Sequence, residues 1–251
     1  MSGHSKWSSI KHQKGVADAR RGQLFTKLTR EIIVAVREGG SNPEANFRLR
    51  LAIQKARDNS MPSENIARAI KRGSGEMGGA SLIEMTLEGY GSNGAAILVK
   101  ALTDNRNRTL QEVRIIFNRH GGSLGESGCV AWLFDSKGLI ILKTSNLDAE
   151  ELALQAIDAG AEDVKVEGSS MEIYTRLEDL ERVRKTLEQN NLPIDSAELS
   201  MVPKTTVELE EKAALQTLKL LDKLDELDEV QHVSSNADFP NSVLEKYQSQ
   251  A

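Results

Sequence analysis

Hydrophobic positions change period along the 251-residue chain, from helical spacing to strand alternation and back. Phe25, Leu28, Ile32 and Val36 step by three or four residues from Leu24. They predict a helix with one inward stripe, Lys27, Arg30 and Arg37 largely outside, and Gly39–Gly40 as its stop. Asn42 and Pro43 read as the cap and first-turn proline of a second helix that buries Ala45, Leu49, Ala52, Ile53 and Ala56. A third begins near Pro62, buries Ile66 and Ile70, and ends in Arg68, Lys71 and Arg72 before Gly73, cations suited to the negative end of a helix dipole. Ahead of these helices, residues 1–22 hold no sustained apolar period and read as a flexible or loosely helical arm. Behind them, Gly73–Gly79 reads as a hinge.

From Leu82 the alternation of Ile83, Met85 and Leu87, the turn Gly89–Gly94 and the apolar run Ala95–Leu102 predict a β-hairpin. Leu110, Val113, Ile116 and Phe117 mark a helix, and Cys129–Phe134 reads as a further buried strand. Strand 139–142, helix 148–159, strands near 164–166 and 171–175, helix 177–189 and strand 197–202 then follow in the order β-α-β-β-α-β, the ferredoxin-like pattern. The remaining tail is a strand at 205–208, a helix at 210–224 with Leu215, Leu218 and Leu221 inward, and a strand at 229–233. The unit begun at Leu82 and this tail are each incomplete alone, so the tail is expected to return to that unit. The expected fold is α+β with three domains: a basic arm plus helical bundle (1–76), a discontinuous α/β domain (77–133 and 202–251), and an inserted ferredoxin-like α/β domain (134–201).

Composition narrows the class. At 39% hydrophobic and 27% charged, with five prolines, the chain has enough apolar material for a core, and at 4% aromatic that core is built from Leu, Ile, Val and Ala. No apolar run approaches the roughly 18 to 20 residues of a membrane helix. The basic N-terminus lacks the apolar stretch of a secretory signal, and the lone cysteine, Cys129, has no internal disulfide partner, so a reducing cytoplasm is expected. Residues 1–17 contain no acid, which suits an organellar transit peptide or, equally in pattern, a nucleic-acid arm. Charge divides more sharply than the total of −5 suggests. Residues 1–75 hold 15 Lys and Arg against 6 Asp and Glu, a balance of +9, leaving −14 on the remainder. A basic segment on an acidic body can neutralise phosphates locally while the body limits indiscriminate binding; a solvated helical surface is the plain alternative.

Few residues suggest covalent chemistry. His4, His12, His120 and His232 are scattered, no His-Glu-x-x-His occurs, and one cysteine cannot build a structural zinc site, so neither metal nor other cofactor is expected. No Gly-x-Ser-x-Gly elbow appears, and Cys129 reads as packed beside Trp132. The clusters Gly89–Gly94 and Gly121–Gly128 lack the Lys-Ser/Thr ending of a phosphate loop and read as tight turns. The positive features are cationic. Candidate nucleic-acid contacts are Lys6, Trp7, Lys11, Lys14, Arg20, Arg21, Lys27, Arg30, Arg48, Arg50, Lys55, Arg68, Lys71 and Arg72, with Trp7 either stacking on an unpaired base or filling the bundle. Arg106, Arg108, Arg114 and Arg119 form a second patch, available to a ligand or used for capping and ion pairs with Glu112 and Glu126.

The opening Met1-Ser2-Gly3-His4-Ser5-Lys6-Trp7, with Lys11 and Lys14, resembles the YebC family of bacterial regulatory proteins. The likeness continues through Phe25-Thr26-Lys27-Leu28, Arg48-Leu49-Arg50, Asn59–Pro62, Arg68-Ala69-Ile70, Glu88-Gly89-Tyr90-Gly91, Thr103–Thr109 and Gly121–Gly125. Ser92-Asn93-Gly94 and Ser60-Met61-Pro62 depart from the family's usual Pro-Gly-Gly and Asn-Met-Pro, changing loop stiffness and a helix start rather than charge. The resemblance implies a three-domain cytoplasmic protein. It also implies either a DNA-binding transcriptional regulator or, as for mitochondrial relatives, a translation factor acting on the ribosome. No clear helix-turn-helix is present, and an arm with Trp7 suits structured or single-stranded RNA at least equally. The expectation is a non-catalytic nucleic-acid-binding regulator, DNA-binding first and ribosomal-RNA-binding second, with the acidic domains open to a ribosomal or other protein partner.

Overall fold

A computed structural model describes residues 18–77, 81–144, 148–167 and 170–250, as a mixture of helices and mostly antiparallel sheets. The first helix, α1 (Asp18–Gly39), begins inside the segment expected to be an arm and buries Leu28, Ile32, Ala35 and Val36. Gly40, at φ +84°, takes the left-handed conformation that ends it.

The second helix, α2 (Phe47–Asp58), starts four residues later than the Asn-Pro signal suggests. Asn42 accepts from the Glu44 N–H through its side chain (3.0 Å), and its carbonyl receives the N–H groups of Ala45 and Asn46, so the Asn42–Asn46 segment closes as a turn and Ala45 stays exposed. The cap is Asn46. Its Oδ1 accepts from the Leu49 N–H (3.0 Å), while its Nδ2 donates to the carbonyls of Ala35 (2.7 Å) and Gly40 (2.8 Å), joining the end of α1 to the start of α2. Helix α3 (Ser63–Gly73) lies so close to α1 that a Cβ built on Gly73 would stand 2.7 Å from Val36 Cβ and 2.9 Å from the Ile33 carbonyl. Only glycine allows that approach.

Two compact units divide the described chain: residues 134–204, and the residues on either side of them. In the flanking unit, β1 (Ile83–Tyr90) and β2 (Ala96–Thr103) pair as an antiparallel hairpin from Ile83↔Thr103 to Tyr90↔Ala96. Helix α4 (Arg106–Arg119) and the short β3 (Ser123–Leu124) follow, and the segment expected to be a strand at Cys129–Phe134 is a loop ending in a 3-10 turn at Ala131–Leu133. The reason is Glu88. Its buried carboxylate accepts the N–H groups of Gly128 (2.6 Å), Val130 (2.7 Å) and Ala131 (2.7 Å), donors that a strand would have spent on a ladder. Trp132, expected in a core, is 66% exposed and donates its indole N–H to the Cys129 carbonyl (3.1 Å), which also receives the Tyr90 hydroxyl (3.0 Å).

In the inserted unit, β4 (Phe134–Lys143), α5 (Ala149–Ala159), β5 (Asp163–Glu167), β6 (Ser170–Thr175), α6 (Leu180–Gln189) and β7 (Ile194–Pro203) form a sheet of order β5-β6-β4-β7. All neighbours are antiparallel, which is the ferredoxin-like arrangement. Ile140, Leu142, Met171 and Ile173 are fully buried, as are Leu180, Val183 and Leu187 of α6.

The chain then returns to the flanking unit through β8 (Val207–Glu208), α7 (Glu211–Asp225), β9 (Val230–Ser235) and β10 (Ala237–Asp238). Strand β9 pairs antiparallel with β2, completing the order β3-β1-β2-β9, and β8 pairs parallel with β10. A last helix, α8 (Asn241–Gln250), was not anticipated; Val243, Leu244 and Tyr247 bury it on the core, and the Tyr247 hydroxyl donates to Asp222 (2.6 Å).

A Gly73→Ala chain trades a helix-propensity gain of up to about 1 kcal/mol against a backbone clash of about 1 to 3 kcal/mol, so urea unfolding should show a net loss; equal or greater stability would remove the close approach. For Glu88, burial alone raises the carboxyl pKa, but the three backbone N–H groups outweigh it and hold it below the ordinary 4.5. Its contribution is therefore present above about pH 4.5 and is lost as pH falls through the lower folded value. Glu88→Gln, which turns an amide N–H₂ toward those donors, should cost about 1 to 3 kcal/mol near neutrality and flatten the acid limb of a stability–pH curve. An unchanged acid limb would remove that role.

Candidate nucleic-acid interface

The cations of α1 divide by function. Gln23, Lys27 and Arg30 follow one another at helical spacing and meet the far end of the chain. Gln23 donates to the Glu226 carbonyl. Lys27 donates to the Asp225 carbonyl and lies 3.6 Å from that carboxylate. Arg30 reaches Glu229 (3.4 Å) and the Leu102 carbonyl (3.5 Å). Lys27 and Arg30 therefore do not point largely outward; the Lys27 side chain is 12% exposed. The same Glu229 oxygen receives Arg108 (3.1 Å), which also pairs with Asp104 (2.8 Å). One residue of each sequence-predicted patch thus meets on the single carboxylate of Glu229, a residue 9% exposed.

Three further candidates serve the helical segment itself. Arg48 bridges Glu38 (2.5 Å) and Glu84 (3.2 Å), and Lys55 lies 4.0 Å from Glu31. Arg50 donates to the carbonyls of Pro43 (2.7 Å) and Glu44 (3.0 Å) and stands over the Phe47 ring at 5.7 Å. By contrast, Arg68, Lys71 and Arg72 on α3 and Arg106, Arg114 and Arg119 on α4 are exposed and make no ion pair among the described residues. The capping part of the second-patch reading is present, with Asn105 accepting from the Arg108 N–H (3.1 Å), but Arg108 pairs with Asp104 and Glu229 rather than with Glu112 or Glu126. Arg21 is exposed on α1. Arg20 lies on α1 with its side chain outside the description, and Lys6, Trp7, Lys11 and Lys14 lie outside the described residues.

Helices α1 and α3 open onto a cleft of about 760 Å³. Arg30 and Arg37, two turns apart on α1, and Arg68 and Arg72, one turn apart on α3, line it together. Phe25, Ile33, Met61, Ala69 and Leu82 supply an apolar floor, and Asp104, held by Arg108, stands at one side. Arg37 was absent from the expected contacts; its i+7 relation to Arg30 was the available signal. A second gathering of cations also escaped the linear reading. His120 has its pKa lowered by burial first and then by Lys223, Lys219 and Arg119, so α7, although in the acidic part of the chain, turns two lysines toward the end of α4. The first glycine cluster is the β1–β2 turn, with Asn93 at φ 55° and Gly94 at φ 77°. Among the described residues no group of three or more His, Cys, Asp or Glu is placed to hold a metal ion.

Comparison with known proteins covers most of the chain. Residues 5–76 match the family described as TACO1/YebC protein N-terminal domain, and residues 82–237 match TACO1/YebC second and third domain. A probable transcriptional regulatory protein of Dehalococcoides mccartyi is 62% identical over 251 residues, the whole of both chains. Another so named, from Natranaerobius thermophilus, is 50% identical over 98% of this chain and 99% of its own. The crystal structure of a conserved hypothetical protein from Aquifex aeolicus, 49% identical, superposes with a TM-score of 0.86 over 94% of this chain and 97% of that one. With both family segments matched in order and relatives similar from end to end, the chain belongs to the TACO1/YebC family.

Proposed function

We propose that the protein is a non-catalytic, nucleic-acid-binding regulator of gene expression in the cytoplasm, acting as a DNA-binding transcriptional regulator. The observation that carries this reading is the placing of the exposed Arg37, Arg68 and Arg72 on one cleft within the segment of charge +9. Guanidinium groups match phosphate oxygens in pairs, and clustered arginines release the counterions condensed on a polyanion. The relatives' name, probable transcriptional regulatory protein, supports the regulatory role and the choice of DNA. On this reading residues 1–76 are the gripping domain, and the acidic remainder, at −13, repels nucleic acid elsewhere and stays available to protein partners.

Binding to duplex DNA should be strongly salt-dependent: with ~6 phosphates neutralised, affinity falls by about 10³ between 50 and 200 mM salt. Replacing Arg68 and Arg72 together by alanine should weaken binding to every sequence tested and reduce the slope of log affinity on log salt by about 2. Salt-independent binding, or an unchanged slope in the double variant, would sink the mechanism. Crosslinking in growing cells followed by sequencing of the attached nucleic acid tests the target. Enrichment of promoter DNA is expected, and concentration on ribosomal RNA would replace the transcriptional role with one in translation.

A further inference from the structure

The cleft between α1 and α3 has a shape that phosphate contact alone does not require. Its volume of about 760 Å³ falls within the roughly 300 to 1,000 Å³ of small-ligand sites. A surface that only tracks a duplex backbone needs cations on a convex or flat face, because the duplex itself supplies the groove. Here the arginines line the cleft together with apolar residues, the aromatic Phe25 among them. That combination, cations around an apolar and aromatic base, suits one nucleotide: a phosphate for the guanidinium groups and a π-face for the floor.

Polar groups on the walls fit the same occupant. The hydroxyls of Thr26 and Thr29 donate backward to the carbonyls of Gly22 (3.0 Å) and Phe25 (2.7 Å), so their remaining lone pairs can accept from a base amino group or a sugar hydroxyl. Asn65 lines the cleft with no side-chain hydrogen bond among the described residues, leaving both its donor and its acceptor for a base edge. The one acid, Asp104, is held by Arg108 at 2.8 Å.

We propose that this cleft takes a single unpaired nucleotide of a bound nucleic acid, its phosphate against Arg68 and Arg72 and its base on the floor of Phe25, Ile33 and Met61. The inference rests on the nucleic-acid reading above and adds a preference for strands whose bases are free, in melted DNA or in RNA. A paired base cannot enter without leaving its stack, a cost that a single strand does not bear.

Methionine methyl groups report on the cleft directly. Of six methionines, Met61 and Met77 line it, whereas Met171 and Met201 lie in the inserted unit. The full chain, labelled with ¹³C at the methionine methyls, is titrated with a single-stranded DNA decamer, the RNA of the same sequence, and the blunt DNA duplex. Both single strands should shift the Met61 and Met77 signals and leave Met171 in place, while the duplex binds with little effect on either cleft methyl. A response to RNA alone supports the site and assigns it to RNA; a response to DNA alone assigns it to melted DNA.

Asn65→Phe fills the cleft and keeps every arginine. It should weaken single-strand binding about tenfold or more, the loss expected for one stacked base, and by a larger factor than it weakens duplex binding. The Arg68→Ala/Arg72→Ala chain should lose the cleft-methyl shifts and supplies the test if the phenylalanine does not fold. Single-strand binding that leaves Met61 and Met77 unmoved, a duplex that shifts them equally, or parental affinity in Asn65→Phe would overturn the nucleotide site while leaving nucleic-acid binding intact. Failure of every nucleic acid to bind would overturn both.

Discussion

Glu229 stands where the two halves of the flanking unit meet. Its carbonyl receives the Leu102 N–H (2.8 Å) at the edge of the β2–β9 pairing, and its buried carboxylate receives Arg30 from α1 and Arg108 from α4. A buried carboxylate is costly unless paired and hydrogen-bonded, and removing one partner of such a group typically costs several kcal/mol. The pairing therefore does two things. It holds the helical segment on the sheet, and it fixes α1 so that Arg37, two turns beyond Arg30, faces the same cleft as Arg68 and Arg72. Lys27 on Asp225 and Gln23 on Glu226 extend the same seam by two turns toward the start of the helix.

The basic charge of the N-terminal segment thus serves two purposes. Lys27, Arg30, Arg48, Arg50 and Lys55 have their charge or their donors engaged within the unit, while Arg68, Lys71 and Arg72 are left to solvent. The difference follows from position. The first group lies on helix flanks that face a neighbouring acid or carbonyl, whereas α3 turns its arginines to the open side because its other face is pressed onto α1 at Gly73. Partially buried pairs such as Lys27–Asp225 are shielded from salt, and exposed arginines are not, so only the latter respond strongly to counterions.

Elsewhere the fold uses the same economy with backbone groups. Glu88 gathers three N–H groups of the loop before β4 and so sets the position of Cys129, whose carbonyl holds both Tyr90 and Trp132. A segment rich in apolar residues is thereby a loop, against its local pattern, because a buried charge two strands away offers its donors a stronger acceptor than a neighbouring strand would.

Local patterns determined the elements. The helical stripes, the β1–β2 hairpin and the β-α-β-β-α-β order of the insert were all legible, because periodicity encodes which face of an element is buried. So were the segregation of charge and the family resemblance. Cap position, the Cys129–Phe134 loop and α8 were not, since each depends on a partner far away in sequence or, for Asn46, on carbonyls of the preceding helix. The candidate site shows the same division: composition marked the N-terminal segment as basic, but which arginines are spent on Glu229, Glu38 or a carbonyl and which line the cleft was decided only by folding. Charge is a property of a residue, and availability is a property of what the tertiary structure places within about 4 Å of it.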